Sequence, residues 1–94
     1  MYLHIGGSMV LPYDEVVGIF DLDITSQSHL TRAFLRRAEE AGQVCNAAED
    51  IPKSFVVCRG SGGQRVYLSQ LMSATLLKRA AAPFSTGEEP VILP

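Results

Sequence analysis

The chain has 94 residues, enough for one small domain and too few for two ordinary hydrophobic cores. Apolar residues make up 47% of it and charged residues 19%, a balance that excludes a disordered chain. Eight basic and ten acidic residues give a net charge of −2, and Glu88 and Glu89 supply the excess. A body without net charge excludes strong non-specific binding to nucleic acid, so any DNA contact needs a local basic surface.

Several classes of protein are excluded by what the sequence lacks. No apolar run reaches the roughly 18 to 20 residues of a membrane-spanning helix, and the N-terminus lacks the pattern of a signal peptide, so we expect a cytoplasmic protein. Cys45 and Cys58 each lie in an apolar run, as core thiols of a reducing compartment do. With His4 and His29 they show no metal-ligand spacing, so we expect neither metal nor cofactor.

The N-terminal residues predict a β-hairpin followed by a strand. Residues 2–5 alternate as a half-buried strand does, residues 6–8 (Gly-Gly-Ser) form a turn, and residues 9–11 form the second arm. Residues 16–22 are a nearly continuous apolar run. Such a run is typical of a central strand covered on both faces, and we expect one here.

A helix is predicted next, from the polar residues 25–28, which offer several N-caps, to Ala41. Leu30, Phe34, Ala38 and Ala41 recur at helical spacing and form one apolar face, and Gly42 stands where a helix commonly ends. Arg32, Arg36 and Arg37 form the densest positive cluster, but Glu39 and Glu40 follow at once. A solvated face with ion pairs within the helix is the plainer interpretation, and phosphate contact the alternative.

The C-terminal half predicts a short strand, a hairpin and a second helix. Residues 44–47 form the strand, and residues 54–59 and 64–69 form hairpin arms joined by the four residues 60–63. In the second arm Val66 and Leu68 face one way, and Arg65, Tyr67 and Ser69 the other. A helix over residues 71–82 follows, with Ser69 or Ser73 as its cap. The order predicts an α+β fold, a small mixed sheet with two helices, over residues 1–82, followed by a flexible tail over 83–94.

No constellation of residues predicts catalysis, and we expect a protein that is not an enzyme. The glycine-rich stretch 59–65 leads into a strand and lacks the lysine of a phosphate-binding loop, so it is a hairpin tip. Arg59 and Arg65 lie at the two ends of that tip, close together across the ladder, and face solvent or an anion such as DNA. Asp21 and Asp23 share a strand face but offer too few ligands for a cation.

Five segments along the chain share the sequence of one known family. They are MYLHIGG at 1–7, VGIFDLD at 17–23, IPKSFVV at 51–57, VYLS at 66–69 and SATLLKR at 73–79. On these segments the chain resembles the RemA/RemB family of extracellular-matrix (biofilm) regulatory proteins, and the resemblance covers residues 1 to about 82. The resemblance implies a small bacterial cytoplasmic protein that helps to activate matrix genes, by transcription regulation and without catalysis.

The same resemblance implies a homo-oligomeric ring that binds double-stranded DNA around its rim. Open sheet edges would then be paired between neighbouring subunits. Each subunit would place one weak basic surface on the curved wall, and bent DNA would meet many copies of it. Avidity would thus replace charge density in a domain without net charge.

The residues that would bind DNA do not all carry over from the family. Members of the RemA type use an adjacent arginine pair before the strand that matches residues 54–59, and here that pair is Asp50 and Ile51. The resemblance supports Lys53 alone, which matches a further basic residue of that loop. Other basic residues could take the place of the missing arginine pair. The candidate DNA-binding residues are therefore Lys53, Arg59, Arg65, Arg32 and Arg36.

Two other functions remain open at this stage. Asp50 and Ile51 place an acid and an exposed apolar side chain where a relative has cations, which favours a scaffolding ring that binds a protein partner and does not contact DNA. An enzyme or a small-ligand binder is the third alternative.

Overall fold

The computed structural model describes residues 2–22 and 28–81, which form an α+β fold with two sheets and two α-helices. In chain order the elements are β1 (Tyr2–Gly6), β2 (Met9–Pro12), a 3₁₀ helix (Tyr13–Glu15), β3 (Val16–Asp21), α1 (His29–Glu40), β4 (Val44–Asn46), β5 (Ser54–Gly60), β6 (Gly63–Ser69) and α2 (Ser73–Ala81). This order confirms the predicted fold class. The predicted tail, residues 83–94, and the N-cap candidates at 25–27 lie outside the described residues.

The N-terminal hairpin has the predicted arms and turn. Strands β1 and β2 pair antiparallel, with Leu3 opposite Leu11. Gly6 and Gly7 in the turn have φ angles of 124° and 55°, a region that costs a side chain energy and that glycine enters freely. Leu3, Ile5 and Leu11 are buried, so the hairpin turns one apolar face towards the rest of the domain.

The larger sheet has the strand order β3-β5-β6-β4, in which only the β4–β6 pair is parallel. The prediction that residues 16–22 form a central strand covered on both faces is wrong, because β3 is an edge strand of this sheet. Val17 and Phe20 are 46% and 38% exposed. The central strands are β5 and β6, and residues 54–58 of β5 are all buried. An apolar run indicates a strand, but the strand order depends on contacts distant in sequence.

Helix α1 begins and ends as predicted. The Ser28 hydroxyl accepts a hydrogen bond from the Thr31 N–H, as an N-cap does, and Gly42 follows the helix with a φ of 72°. The predicted apolar face is only partly buried. Ala38 is buried, whereas Leu30 is 75% exposed.

The β5–β6 hairpin confirms the alternation predicted for its second arm. Val66 and Leu68 pack in one apolar cluster and Tyr67 in the other. The strands reach further than predicted, since Gly60 pairs with Gly63 and only Ser61 and Gly62 form the turn. Gly63 has a φ of 101°, a conformation that favours glycine at this turn.

The four-stranded sheet separates two apolar clusters, one on each face. On one face α1 covers the sheet; this cluster contains Ala38, Phe55, Val57 and Val66. On the other face lie α2 and the N-terminal hairpin, and this cluster contains Leu3, Ile5, Leu11, Val56, Cys58, Leu76 and Ala80. We call these the α1 face and the α2 face of the sheet.

Helix α2 is one or two residues shorter at each end than predicted, and neither proposed serine caps it. Ser73 is its first residue, and Met72 precedes it. Ser69 has another role, because its buried hydroxyl donates to the Ile5 carbonyl and accepts from the Leu71 N–H. It thereby links the hairpin, β6 and the approach to α2. No helix in the described part of the chain is both long and apolar enough to cross a membrane.

The ends of α2 are held against the two ends of β3. The Ser73 hydroxyl lies 3.3 Å from Asp21 Oδ2, at the last residue of β3. At the other end, the Tyr13 hydroxyl donates to the Arg79 carbonyl at 2.6 Å, just before β3 begins. Helix α2 therefore runs antiparallel to β3 and ends beside its first residues.

Candidate functional site

The loop before β5, which contains Asp50, Ile51 and Lys53, is fixed by hydrogen bonds. Gln70 Oε1 accepts from the backbone N–H groups of Glu49 and Asp50, at 2.8 and 3.2 Å. Asp50 Oδ1 accepts from the Ile51 N–H at 2.8 Å, and the Lys53 N–H donates to the Ser69 carbonyl at 2.8 Å. The loop thus presents its side chains from an anchored backbone.

This anchored loop offers little to a phosphate. Asp50 is exposed and repels an anion, and Ile51 is 76% exposed and donates no hydrogen bond from its side chain. Lys53 is the basic residue that the loop presents to solvent. At Asp50 and Ile51 the loop therefore presents an acidic and an apolar surface.

The two arginines of the β5–β6 hairpin lie on opposite faces of the sheet. Arg59 is opposite Gln64, while Arg65 is opposite Cys58. Since adjacent strand residues point to opposite faces, Arg59 shares the α1 face with Val57, and Arg65 shares the α2 face with Cys58. The prediction that these arginines are close together across the ladder is therefore wrong, because the register is offset by one residue.

Arg32 and Arg36 lie on the outer side of α1. They are one turn apart, both are exposed, and residues at this spacing share a helix face. After α1 the chain returns to the hairpin end of the sheet, where the Gln43 carbonyl accepts from the Val66 N–H and Gln43 Oε1 lies 3.2 Å from Gln64 Nε2. The C-terminal end of α1 and Arg59 are therefore at the same end of the molecule.

The five candidate cations accordingly divide into three groups. Arg32, Arg36 and Arg59 are on the α1 face, and we call them the helix-side cations. Lys53 precedes β5 and Arg59 is near its end, so six residues of strand, about 20 Å, separate them. Arg65 is on the α2 face. Arg32, Arg36 and Arg59 therefore share one face of the sheet, while Lys53 lies at the opposite end of β5 from Arg59.

An open apolar groove between α1 and the β3 edge was not anticipated from the sequence. Its volume is about 330 Å³, and its lining is Val17, Phe20, Leu30, Thr31, Phe34, Phe55 and Val57. Each of these apolar residues fits a predicted strand or helix, so the local pattern indicated a core. Only the position of β3 at the edge of the sheet shows that part of this surface is open.

A small polar hollow lies under the hairpin tip on the α2 face. It has a volume of about 110 Å³ and is lined in part by Glu15, Cys58, Arg65 and Tyr67. The Glu15 carboxyl group lies close to Gly60, so a Cβ at residue 60 would be 2.8 Å from Glu15 Cδ and would require the Glu15 side chain to shift. Burial, and secondarily the nearby Glu15, raises the pKa of the Cys58 thiol to about 11. Such a thiol is a poor nucleophile at neutral pH.

The raised pKa of Cys58 predicts a loss of stability in alkali. The unfolded thiol ionises near its ordinary pKa of 9.0, while the folded thiol stays protonated up to about 11, so the free energy of unfolding falls as pH rises between these values. Burial also raises the pKa of Tyr13 and Tyr67 and acts in the same direction. Urea unfolding at pH 8, 9, 10 and 11 checks this, with Cys58→Val as the comparison. A pH profile that is equally steep in the variant would contradict the assignment to Cys58.

No group of three or more histidine, cysteine or acidic side chains in residues 2–22 and 28–81 is arranged to hold a metal ion. Cys45 and Cys58 are both free thiols, and the second is buried. The expectations of no metal and of no catalysis stay predictions.

Comparison with known proteins identifies the family. No family model matches the chain. The chain is 36% identical over 84 residues to Extracellular matrix regulatory protein B of Bacillus subtilis (strain 168), a match that covers 89% of this chain and 95% of that protein. Identity at this level over nearly the whole of both chains indicates common descent and a shared fold. The chain therefore belongs to the family of Extracellular matrix regulatory protein B.

Proposed function

We propose that this protein regulates the production of extracellular matrix in a bacterial cytoplasm, as a homo-oligomeric ring that binds double-stranded DNA without catalysis. The observation that carries the regulatory role is the match to Extracellular matrix regulatory protein B over 95% of that protein's length. Nearly every segment of the relative therefore has an aligned segment in this chain.

Self-association is supported by the two edges of the larger sheet. Among the described residues, β3 pairs only with β5, and β4 only with β6, so each has one side without a strand partner. An unpaired strand edge is a ready site for another chain. β3 and β4 lie at opposite edges of the sheet, so pairing of β3 in one copy with β4 in the next would be head-to-tail, and such contacts form a ring when the rotation closes.

DNA binding is supported by the helix-side cations. Arg32, Arg36 and Arg59 are exposed on one face, whereas the loop that holds Asp50 and Ile51 repels phosphate. A single subunit with a net charge of −2 binds a polyanion weakly. A ring repeats the arginine surface at every subunit, so that DNA bent along the wall meets it many times.

A salt titration with an independent measurement of mass tests the proposal. We expect the protein to have an oligomeric mass in solution and to bind duplex DNA at low salt. Its affinity should fall steeply as salt rises, since each contacted phosphate adds about 0.9 to the slope of log affinity against log salt. A monomeric mass, or no binding at low salt, would refute the DNA-binding ring.

A second candidate function is a scaffolding ring that binds a protein and not DNA. Its support is Ile51, which is 76% exposed at the tip of a loop anchored by Gln70. An apolar side chain on a preorganised loop is a favourable anchor for a protein partner, because little entropy is lost when the partner binds.

Ile51→Asp distinguishes the two candidates. If the loop binds a protein, the variant should lose a partner that the unaltered protein retains, while its binding to DNA and its mass stay the same. The matched control is Val10→Asp, which adds the same charge at an exposed apolar residue of the N-terminal hairpin, outside this loop. Equal partner profiles for the unaltered protein and Ile51→Asp would count against the scaffolding function.

A further inference from the structure

The groove between α1 and β3 is an apolar surface that the described residues leave partly uncovered. Val17 is 46%, Phe20 38% and Leu30 75% exposed along it, and Thr31 is polar while the other lining residues that the structure describes are apolar. A volume of about 330 Å³ is at the lower end of the range, roughly 300 to 1,000 Å³, of sites that enclose a ligand. The groove therefore suits a few side chains of an extended segment better than a folded partner.

The chain leaves α2 beside one end of this groove. Arg79 is held by the Tyr13 hydroxyl, and Tyr13 precedes Val16, the first residue of β3. Val17, the next residue, lines the groove. Residues 82–87 separate α2 from the acidic pair Glu88-Glu89, and six extended residues span about 20 Å. That length is enough to pass around the edge strand from the α2 face to the α1 face.

Residues 88–93 run from acidic to apolar, and the groove runs in the same direction from basic to apolar residues. This segment is Glu-Glu-Pro-Val-Ile-Leu, two acids followed by three large apolar residues. At the end where the chain would enter, Arg59 is two residues beyond Val57 on the same face of β5, and Arg37 is one turn beyond Phe34 on α1. Both arginines are exposed. Further along the groove, Phe20 and Leu30 are the exposed apolar residues.

We propose that residues 88–93 bind in the groove of their own subunit, with Glu88 and Glu89 near Arg59 and Arg37 and with Val91, Ile92 and Leu93 over Val17, Phe20 and Leu30. The chain has two more acidic than basic residues, and this segment carries two acids, Glu88 and Glu89. Its binding would therefore place a charge equal to the net charge of the chain beside Arg59 and Arg37. The proposal requires neither DNA binding nor the ring, and it competes with both, because the segment would occupy Arg59 and pass the free edge of β3.

Methyl NMR of the full chain tests the proposal directly. We expect nuclear Overhauser contacts between the Ile92 methyl groups and the Phe20 ring, and these contacts should persist when labelled protein is diluted into an excess of unlabelled protein. Ile92→Asp should abolish them and shift the methyl signals of Val17 and Leu30. The methyl signals of Val10, which is exposed on the N-terminal hairpin, should stay in place.

Ser85→Asp is the matched control, because it adds the same charge to the segment between α2 and the proposed binding residues. It should leave the Val17 and Leu30 signals unchanged. Three results would overturn the proposal: Ile92→Asp has no more effect than Ser85→Asp; the contacts disappear on dilution with unlabelled protein, which would indicate a second copy in the groove; or Ile24→Asp, in the β3–α1 connection, alone shifts these signals.

Discussion

Replacing Arg36 with glutamate is expected to lower the affinity of the assembled protein for duplex DNA by roughly tenfold or more, and to reduce its dependence on salt. Arg36 is exposed on the outer side of α1, so the variant changes the surface and leaves the apolar cluster beneath α1 intact. Each phosphate contact that is lost lowers the slope of log affinity against log salt by about 0.9, and a ring loses one such contact at every bound subunit. Binding titrations at several salt concentrations measure both effects.

Lys78→Glu is the matched control for Arg36→Glu. Lys78 is exposed on α2, on the opposite face of the sheet, and the replacement changes the net charge by the same amount. If the helix-side cations bind DNA, Lys78→Glu should lower affinity only slightly, through the overall charge. An equal loss in both variants would assign the effect to net charge and would remove the α1 face as the binding surface.

Leu76→Ala is expected to produce the largest loss of stability, about 2 to 5 kcal/mol. Leu76 is fully buried in the cluster that joins α2, the N-terminal hairpin and the larger sheet. Truncation removes apolar contacts and leaves a cavity, since the surrounding strands relax only in part. In a domain of this size each kcal/mol lowers the midpoint of thermal unfolding by about 4 to 8 °C. Urea and thermal unfolding, at one fixed protein concentration, measure the effect.

The neighbouring residue provides the control for Leu76→Ala. Leu77 is the same residue type in the same helix but is 40% exposed, so Leu77→Ala changes the helical propensity equally and removes far less buried surface. We expect it to cost under about 1 kcal/mol. A similar loss in both variants would show that the stability of α2, and not the packing of Leu76, limits the fold.

The elements that the sequence predicted well are those with local causes. Ser28 caps α1 and Gly42 ends it, because a hydroxyl near free N–H groups and a glycine with positive φ act within one turn of the helix. The turn at Gly6 and Gly7 and the alternation of Val66 and Tyr67 are likewise consequences of backbone conformation and of strand periodicity.

The candidate site was less predictable, because its geometry depends on register and strand order. Both hairpin arginines were visible in the sequence, but a register that places Arg59 opposite Gln64 sends Arg65 to the other face. Lys53 and Arg59 flank one strand, and only the length of that strand shows how far apart they are. The groove beside β3 gave no local signal at all.

The sequence by itself determined the fold class, the order of the main strands and helices, the cap of α1, the turn of the N-terminal hairpin, and membership of a matrix-regulator family, since each rests on neighbouring residues or on the succession of residue types. Only the tertiary structure decided that Val16–Asp21 is an edge strand, that the cations divide between two faces, and that Ile51 is presented on an anchored loop. These features arise from pairings between residues far apart in the chain, such as Asp21 with Ser54 and Gln70 with the backbone at Glu49. The sequence around an apolar or basic residue is the same whether its strand is a central strand or an edge strand. The packing of the whole domain determines which of the two it is.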